Sequence, residues 1–165
     1  MEARKDAVET LISILEEQEK IYEELLELAR QKQKILIKGD IAALEEITVQ
    51  EEGLVLQAGK LEEKREQCFA ALAQDYGVGP ESTLADFLPC VEEPSRTSLE
   101  KVHGGLSACL KDLRRLNQEN TQLLEQSIQF VNFTVDVLSQ QSKPLYNADK
   151  EVKVENLTNF LDKKV

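Results

Sequence analysis

An all-α fold is predicted: a long antiparallel helical hairpin plus a third long helix, in an elongated three-helix, coiled-coil-like bundle with a flexible C-terminal tail. Three observations predict it. Apolar residues recur by threes and fours over three stretches of similar length. Aromatic residues make up only 5% of the 165 residues and tryptophan is absent, which favours helices over sheets. Two breaks, Gly39-Asp40 and YGVGPE at 76–81, fall between the periodic stretches. One folded body over 1–142 is expected, with the hairpin at 6–75, a loop and short helix at 76–94, a long helix at 95–142, and the tail at 143–165.

From Asp6 to Ile37, Val8, Leu11, Leu15, Tyr22, Leu25, Ala29 and Leu36 mark one apolar face, and Ile14, Ile21, Leu28 and Ile35 widen it. Glu16, Glu17, Glu19, Glu23, Glu24 and Glu27 lie on the other side, as a solvated face or as a docking surface for a basic partner. Gly39 tolerates the left-handed backbone that ends a helix, and Asp40 can cap the next one. So short a turn makes the two helices antiparallel neighbours. The second helix, Ile41 to about Asp75, carries Leu44, Ile47, Leu54, Ala58, Leu61, Cys68 and Leu72 on its stripe. Glu51 and Arg65 share that stripe, either as interior polar groups or at the seam edge where long side chains reach water.

Two glycines and a proline in YGVGPE open a loop. Ser82 or Thr83 can cap a short helix through Leu88, with Asp86 at the capping-box position and Pro89 as its end. Pro94 and Ser95 favour the start of the third helix, with Gly104 and Gly105 as a soft point where a kink or a close helix approach is expected. Leu106, Leu110, Leu113, Leu116, Leu123, Leu124, Ile128, Val131, Val137 and Leu138 then form one broad stripe. From Leu106 to Gln141 such a helix reaches roughly 50 Å, more than walling off a core requires. Asn117, Asn120, Ser127 and Thr134 interrupt the stripe, and polar groups on a buried seam cost stability unless paired.

After Lys143 and Pro144 the period is lost until Leu157, Phe160 and Leu161 make one apolar turn, too short to hold alone. The net charge of −11 opposes an electrostatic grip on nucleic acid or an anionic membrane surface, so a protein partner is expected. No apolar run approaches the roughly 20 residues that span a bilayer. Cys68, Cys90 and Cys109 form no C-x-x-C pair, and no apolar signal core follows MEARKD, which fits a reduced, cytoplasmic protein.

Chemistry is sparse. Glu100 and His103 form an E-x-x-H pair of the kind helical diiron sites use twice, but His103 is the only histidine. Cys109 sits on the apolar stripe, a poor place to activate a nucleophile. YGVGPE lacks the lysine of a phosphate-binding loop. No enzyme activity, metal or cofactor is expected.

The chain resembles the FlgN family of flagellar export chaperones over nearly its full length. The resemblance runs through KQKILIKGDIAALEEITVQEEGLVLQAGKLEEKREQ, LRRLNQENTQLLEQSIQFVNFTVDVL and the tail motif LYNADK. Its most specific part is Leu116-Asn117 with Asn120 and Leu123-Leu124, followed 22 residues after Leu124 by Tyr146. In that family the tail motif reads Leu-Tyr-Gly-Ala-Asp-Gly, and its tyrosine helps the loaded chaperone dock on the export gate protein FlhA. Tyr146 occupies that place here, while Asn147 and Lys150 replace the glycines. The resemblance implies binding of the C-terminal helical segments of hook-filament junction proteins of the FlgK and FlgL type. Leu116, Leu123, Leu124, Ile128 and Val131 would give apolar area, and Asn117 and Asn120 would set register. Two alternatives stay open: both asparagines bond internally to the hairpin, or the seam pairs with a second copy in a structural coiled coil. The turn at Leu157, Phe160 and Leu161 is a possible occupant of the empty groove.

Overall fold

The computed structural model describes residues 2–79 and 81–141. Its elements are helical throughout: α1 (Glu2–Lys38), α2 (Ile41–Tyr76), α3 (Leu84–Phe87), a 3-10 turn (Leu88–Cys90) and α4 (Ser95–Gln141). Tyr146, Leu157, Phe160 and Leu161 lie outside the described residues. The chain divides into two units, Met1–Thr121 and Gln122–Val165.

The hairpin turn forms as its chemistry dictates. Gly39 takes φ +70° and its N–H donates to the Ile35 carbonyl at 2.9 Å, closing α1. The Asp40 carboxylate accepts from the Ala43 N–H at 3.1 Å, opening α2. At the far end Gly77 takes φ +69°, and the Val78 N–H reaches back to the Ala73 carbonyl at 2.8 Å. Thr83, rather than Ser82, caps α3. Its N–H donates to the Asp86 carboxylate at 2.9 Å, and its hydroxyl oxygen accepts from the Asp86 N–H at 3.3 Å. α3 ends at Phe87 with Leu88 as its C-cap, just before Pro89 as expected, and Pro89 itself sits inside the 3-10 turn, near whose start a missing N–H costs nothing.

The core of the first unit gathers every element. Val8, Leu11 and Leu15 of α1 meet Leu72 of α2, Phe87 of α3, Val91, and Leu99, Val102 and Leu106 of α4. Phe87 is fully buried, with Phe69 and Tyr76 edge-on at 5.7 and 5.1 Å between ring centroids. The Arg4 guanidinium lies 5.3 Å over the Tyr76 ring and donates to the Asp75 carbonyl, pinning the start of α1 to the end of α2. A second cluster joins Leu26 and Ala29 to Cys109 and Leu116. Contacts thus advance together along α1 and α4, which run parallel, while α2 runs antiparallel to both.

Polar links hold the register of the hairpin. Gln18, 2% exposed, donates to the Glu62 carboxylate at 2.9 Å, and Arg65 forks onto both Glu62 oxygens at 2.8 and 2.6 Å. The Arg65 hydrogen bonds hold the Glu62 carboxyl below its ordinary range. Lys32 bridges to Glu51 at 2.7 Å. Glu51 is therefore half-buried and paired across the seam, and Arg65 is half-buried and paired within its own helix. Glu16, Glu17, Glu23, Glu24 and Glu27 of α1 face solvent, whereas Glu19 is half-buried. α4 runs unbroken through Gly104 and Gly105. Gly105 is the close approach: a Cβ there would collide with the Glu19 carboxylate, whereas Gly104 faces open space.

Candidate protein-binding surface

The described part of the second unit, Gln122–Gln141, is helical throughout. Leu124, Ile128, Val131, Val135 and Leu138 repeat at alternating steps of four and three, which places them on one narrow seam. All five are exposed, from 36% at Val135 to 60% at Leu138. Beside the seam runs a second row, Leu123, Phe130 and Val137, seven residues apart, with Phe130 70% exposed. Several adjacent large apolar side chains left in water mark a surface that binds something.

The polar interruptions do not spoil this surface. The Ser127 hydroxyl donates to the Leu123 carbonyl and the Thr134 hydroxyl to the Phe130 carbonyl, each at 2.9 Å. Both groups are satisfied within their own helix, so covering them leaves no donor unpaired. Between Gln122 and Gln141 there are two acids, Glu125 and Asp136, and no lysine or arginine. Helical geometry puts both acids on the flank of the seam opposite that second row. The face therefore suits an apolar helix rather than a charged partner.

Leu116, Asn117 and Asn120 belong to the first unit instead. Leu116 is 5% exposed and packs with Leu26, Ala29 and Cys109. Asn120 is 4% exposed and its Nδ2 donates to the Ala29 carbonyl at 2.9 Å, the internal bond that was one alternative. Its Oδ1 is buried with no partner among the described residues. Asn117 faces solvent. Beside it, Glu119 accepts from Gln33 of α1 at 3.0 Å and from Arg115 at 2.8 Å, which holds its carboxyl below the ordinary range. Sequence reasoning passed over Phe130, Phe133 and Val135. The four-three step from Val131 to Val135 and Leu138 was a signal for Val135; Phe133 lies on the polar side, where periodicity carries no signal.

Burial pushes the Cys68 and Cys109 thiols up, away from the reactive thiolate. Glu100 and His103 are both exposed on α4. Among the described residues no group of three or more His, Cys, Asp or Glu is placed to hold a metal ion. No described helix is long and apolar enough to cross a membrane.

A family model described as FlgN protein matches residues 1–153. The chain is also 24% identical over 135 residues to the uncharacterized protein YvyG of Bacillus subtilis (strain 168), covering 82% of each chain. No solved structure matches.

Proposed function

Because the chain belongs to the FlgN family, we propose that it is a cytoplasmic export chaperone for flagellar hook-filament junction proteins of the FlgK and FlgL type. It carries no enzyme activity in this reading. The cargo's C-terminal segment lays its apolar stripe along Leu124, Ile128, Val131, Val135 and Leu138, which keeps it from associating prematurely with other cargo. Tyr146 then docks the loaded pair on the export gate protein FlhA. The observation that carries this reading is the five-residue seam exposed on an otherwise satisfied helix.

Magnitudes support a reversible grip. Fully burying five aliphatic side chains is worth about 7–15 kcal/mol, and about half of that area remains to be covered on this helix. With a similar gain on the cargo side, the sum stands against an association cost of about 4–15 kcal/mol. The margin is small, so one charge in the seam is enough to break binding.

Calorimetry of the full chain with a fragment covering the C-terminal helix of its organism's FlgK-like protein tests the proposal. Binding at 1:1, micromolar or tighter, weakened by Leu124→Asp and unmoved by Tyr146→Ala, supports separate cargo and gate surfaces. Absence of binding, together with a stable homodimer that Leu124→Asp dissolves, replaces the chaperone with a structural coiled coil.

A further inference from the structure

The hairpin carries a second apolar strip that the cargo reading does not use. On α2, Glu46, Val49, Gly53, Leu56 and Lys60 follow one another at steps of three and four, so they share one face. That face points away from the packed side of the helix, which carries Ile47, Ala58 and Leu61. Val49 and Leu56 are 68% and 69% exposed, although a solvated helix face ordinarily carries polar residues there. Gly53 has open space where a Cβ would stand, and glycine inside a helix costs about 1 kcal/mol against alanine. Glu46 and Lys60 are exposed and neither has an ion-pair partner among the described residues.

We propose that this face of α2 is a self-association surface on which two copies of the chain pair antiparallel, crossing at Gly53. The pattern is complementary to its own reverse. Glu46 lies seven residues before Gly53 and Lys60 seven after, so at 1.5 Å per residue each stands about 10 Å from the crossing. A two-fold axis through Gly53 brings Glu46 of each copy to Lys60 of the other, twice. Val49 and Leu56, four before and three after, interlock as one apolar layer on each side. Gly53 meets its own copy where two backbones must approach most closely, which gives its missing side chain a use. A parallel copy would instead set Glu46 on Glu46 and Lys60 on Lys60, and an unrelated apolar helix would leave both charges without purpose. The unfavourable pairs are Glu52 with its copy beside the crossing and Glu63, three residues beyond Lys60, with Glu45 and Glu46 of the other copy, so the dimer is moderate rather than permanent. The surface belongs wholly to the first unit and does not involve the seam of Gln122–Gln141.

Sedimentation of the full chain across a concentration series tests this, with circular dichroism confirming that each variant is folded. The wild type shows a reversible monomer–dimer equilibrium. Glu46→Lys and Lys60→Glu each raise the dimer dissociation constant by about tenfold or more, and the double variant returns it to within about threefold of the wild type. Glu52→Gln tightens the dimer. Glu46 and Lys60 of one chain are about 21 Å apart along α2, so rescue by the double variant reports contact between copies. A chain that stays monomeric throughout overturns the proposal. So do single reversals without effect, a double variant that fails to rescue, or a dimer lost only with Leu124→Asp.

Discussion

The two stretches of α4 share one kind of pattern and meet opposite fates. From Leu99 to Leu116 the positions Leu99, Val102, Leu106, Cys109 and Leu116 are buried, with Leu113 half-buried and Leu110 38% exposed at the edge, because the residues of α1 that advance beside them, from Val8 to Ala29, cover that face. From Leu124 to Leu138 the same three-four spacing continues and every seam residue is exposed. Periodicity therefore specifies which face of a helix is apolar; only a neighbouring element decides whether that face is core or binding surface. Asn120, one turn beyond the first stretch, is a core residue despite its polarity.

The sharpest way to break this contrast is to truncate one residue from each stretch. Leu99→Ala removes a fully buried side chain from the junction of all four helices and is expected to cost about 2–5 kcal/mol in denaturant unfolding. Leu124→Asp is expected to move the same measurement by no more than about 1 kcal/mol, since the side chain is already 42% exposed and the change costs mainly helix propensity. Equal losses at the two positions would erase the distinction.

Asn120→Leu is expected to leave stability unchanged or raise it by up to about 1 kcal/mol. It gives up one hydrogen bond to Ala29 but also removes a buried oxygen without a partner. A clear loss in thermal unfolding would mean that Oδ1 is satisfied and that Asn120 is a full member of an internal network. Gly104→Ala is expected to add about 0.5–1 kcal/mol, because the position is an exposed helix interior with open space at Cβ.

The smallest effect concerns pH. Glu62 has its folded-state pKa lowered, chiefly by the Arg65 hydrogen bonds, so it binds its proton less readily in the folded chain than in the unfolded one. Its contribution is complete above the ordinary glutamate range and is lost as pH falls through the depressed folded value. Unfolding curves taken at stepped pH below about 5 should therefore decline less steeply for Glu62→Gln than for the wild type. Identical slopes would remove Glu62 from the acid response.

Much of the first unit was legible in the sequence because its signals are local. Gly39-Asp40, Thr83 with Asp86 and the break at 76–81 each specify backbone geometry within a few residues. The burial of Asn120, the ion pair of Glu51 with Lys32 and the passage of Pro89 through a 3-10 turn were not decided locally. Each depends on what packs alongside. The seam was readable at Leu124, Ile128, Val131 and Leu138 by its period, but a period does not say whether a neighbouring element covers it.

Hydrogen–deuterium exchange of the full chain, alone and with the C-terminal helix of an FlgK-like protein, tests the central claim most directly. The account predicts that amides of Gln122–Gln141 gain protection on binding, while those of Leu99–Leu116 are protected in both states. Protection gained elsewhere, with Gln122–Gln141 unchanged, would contradict it.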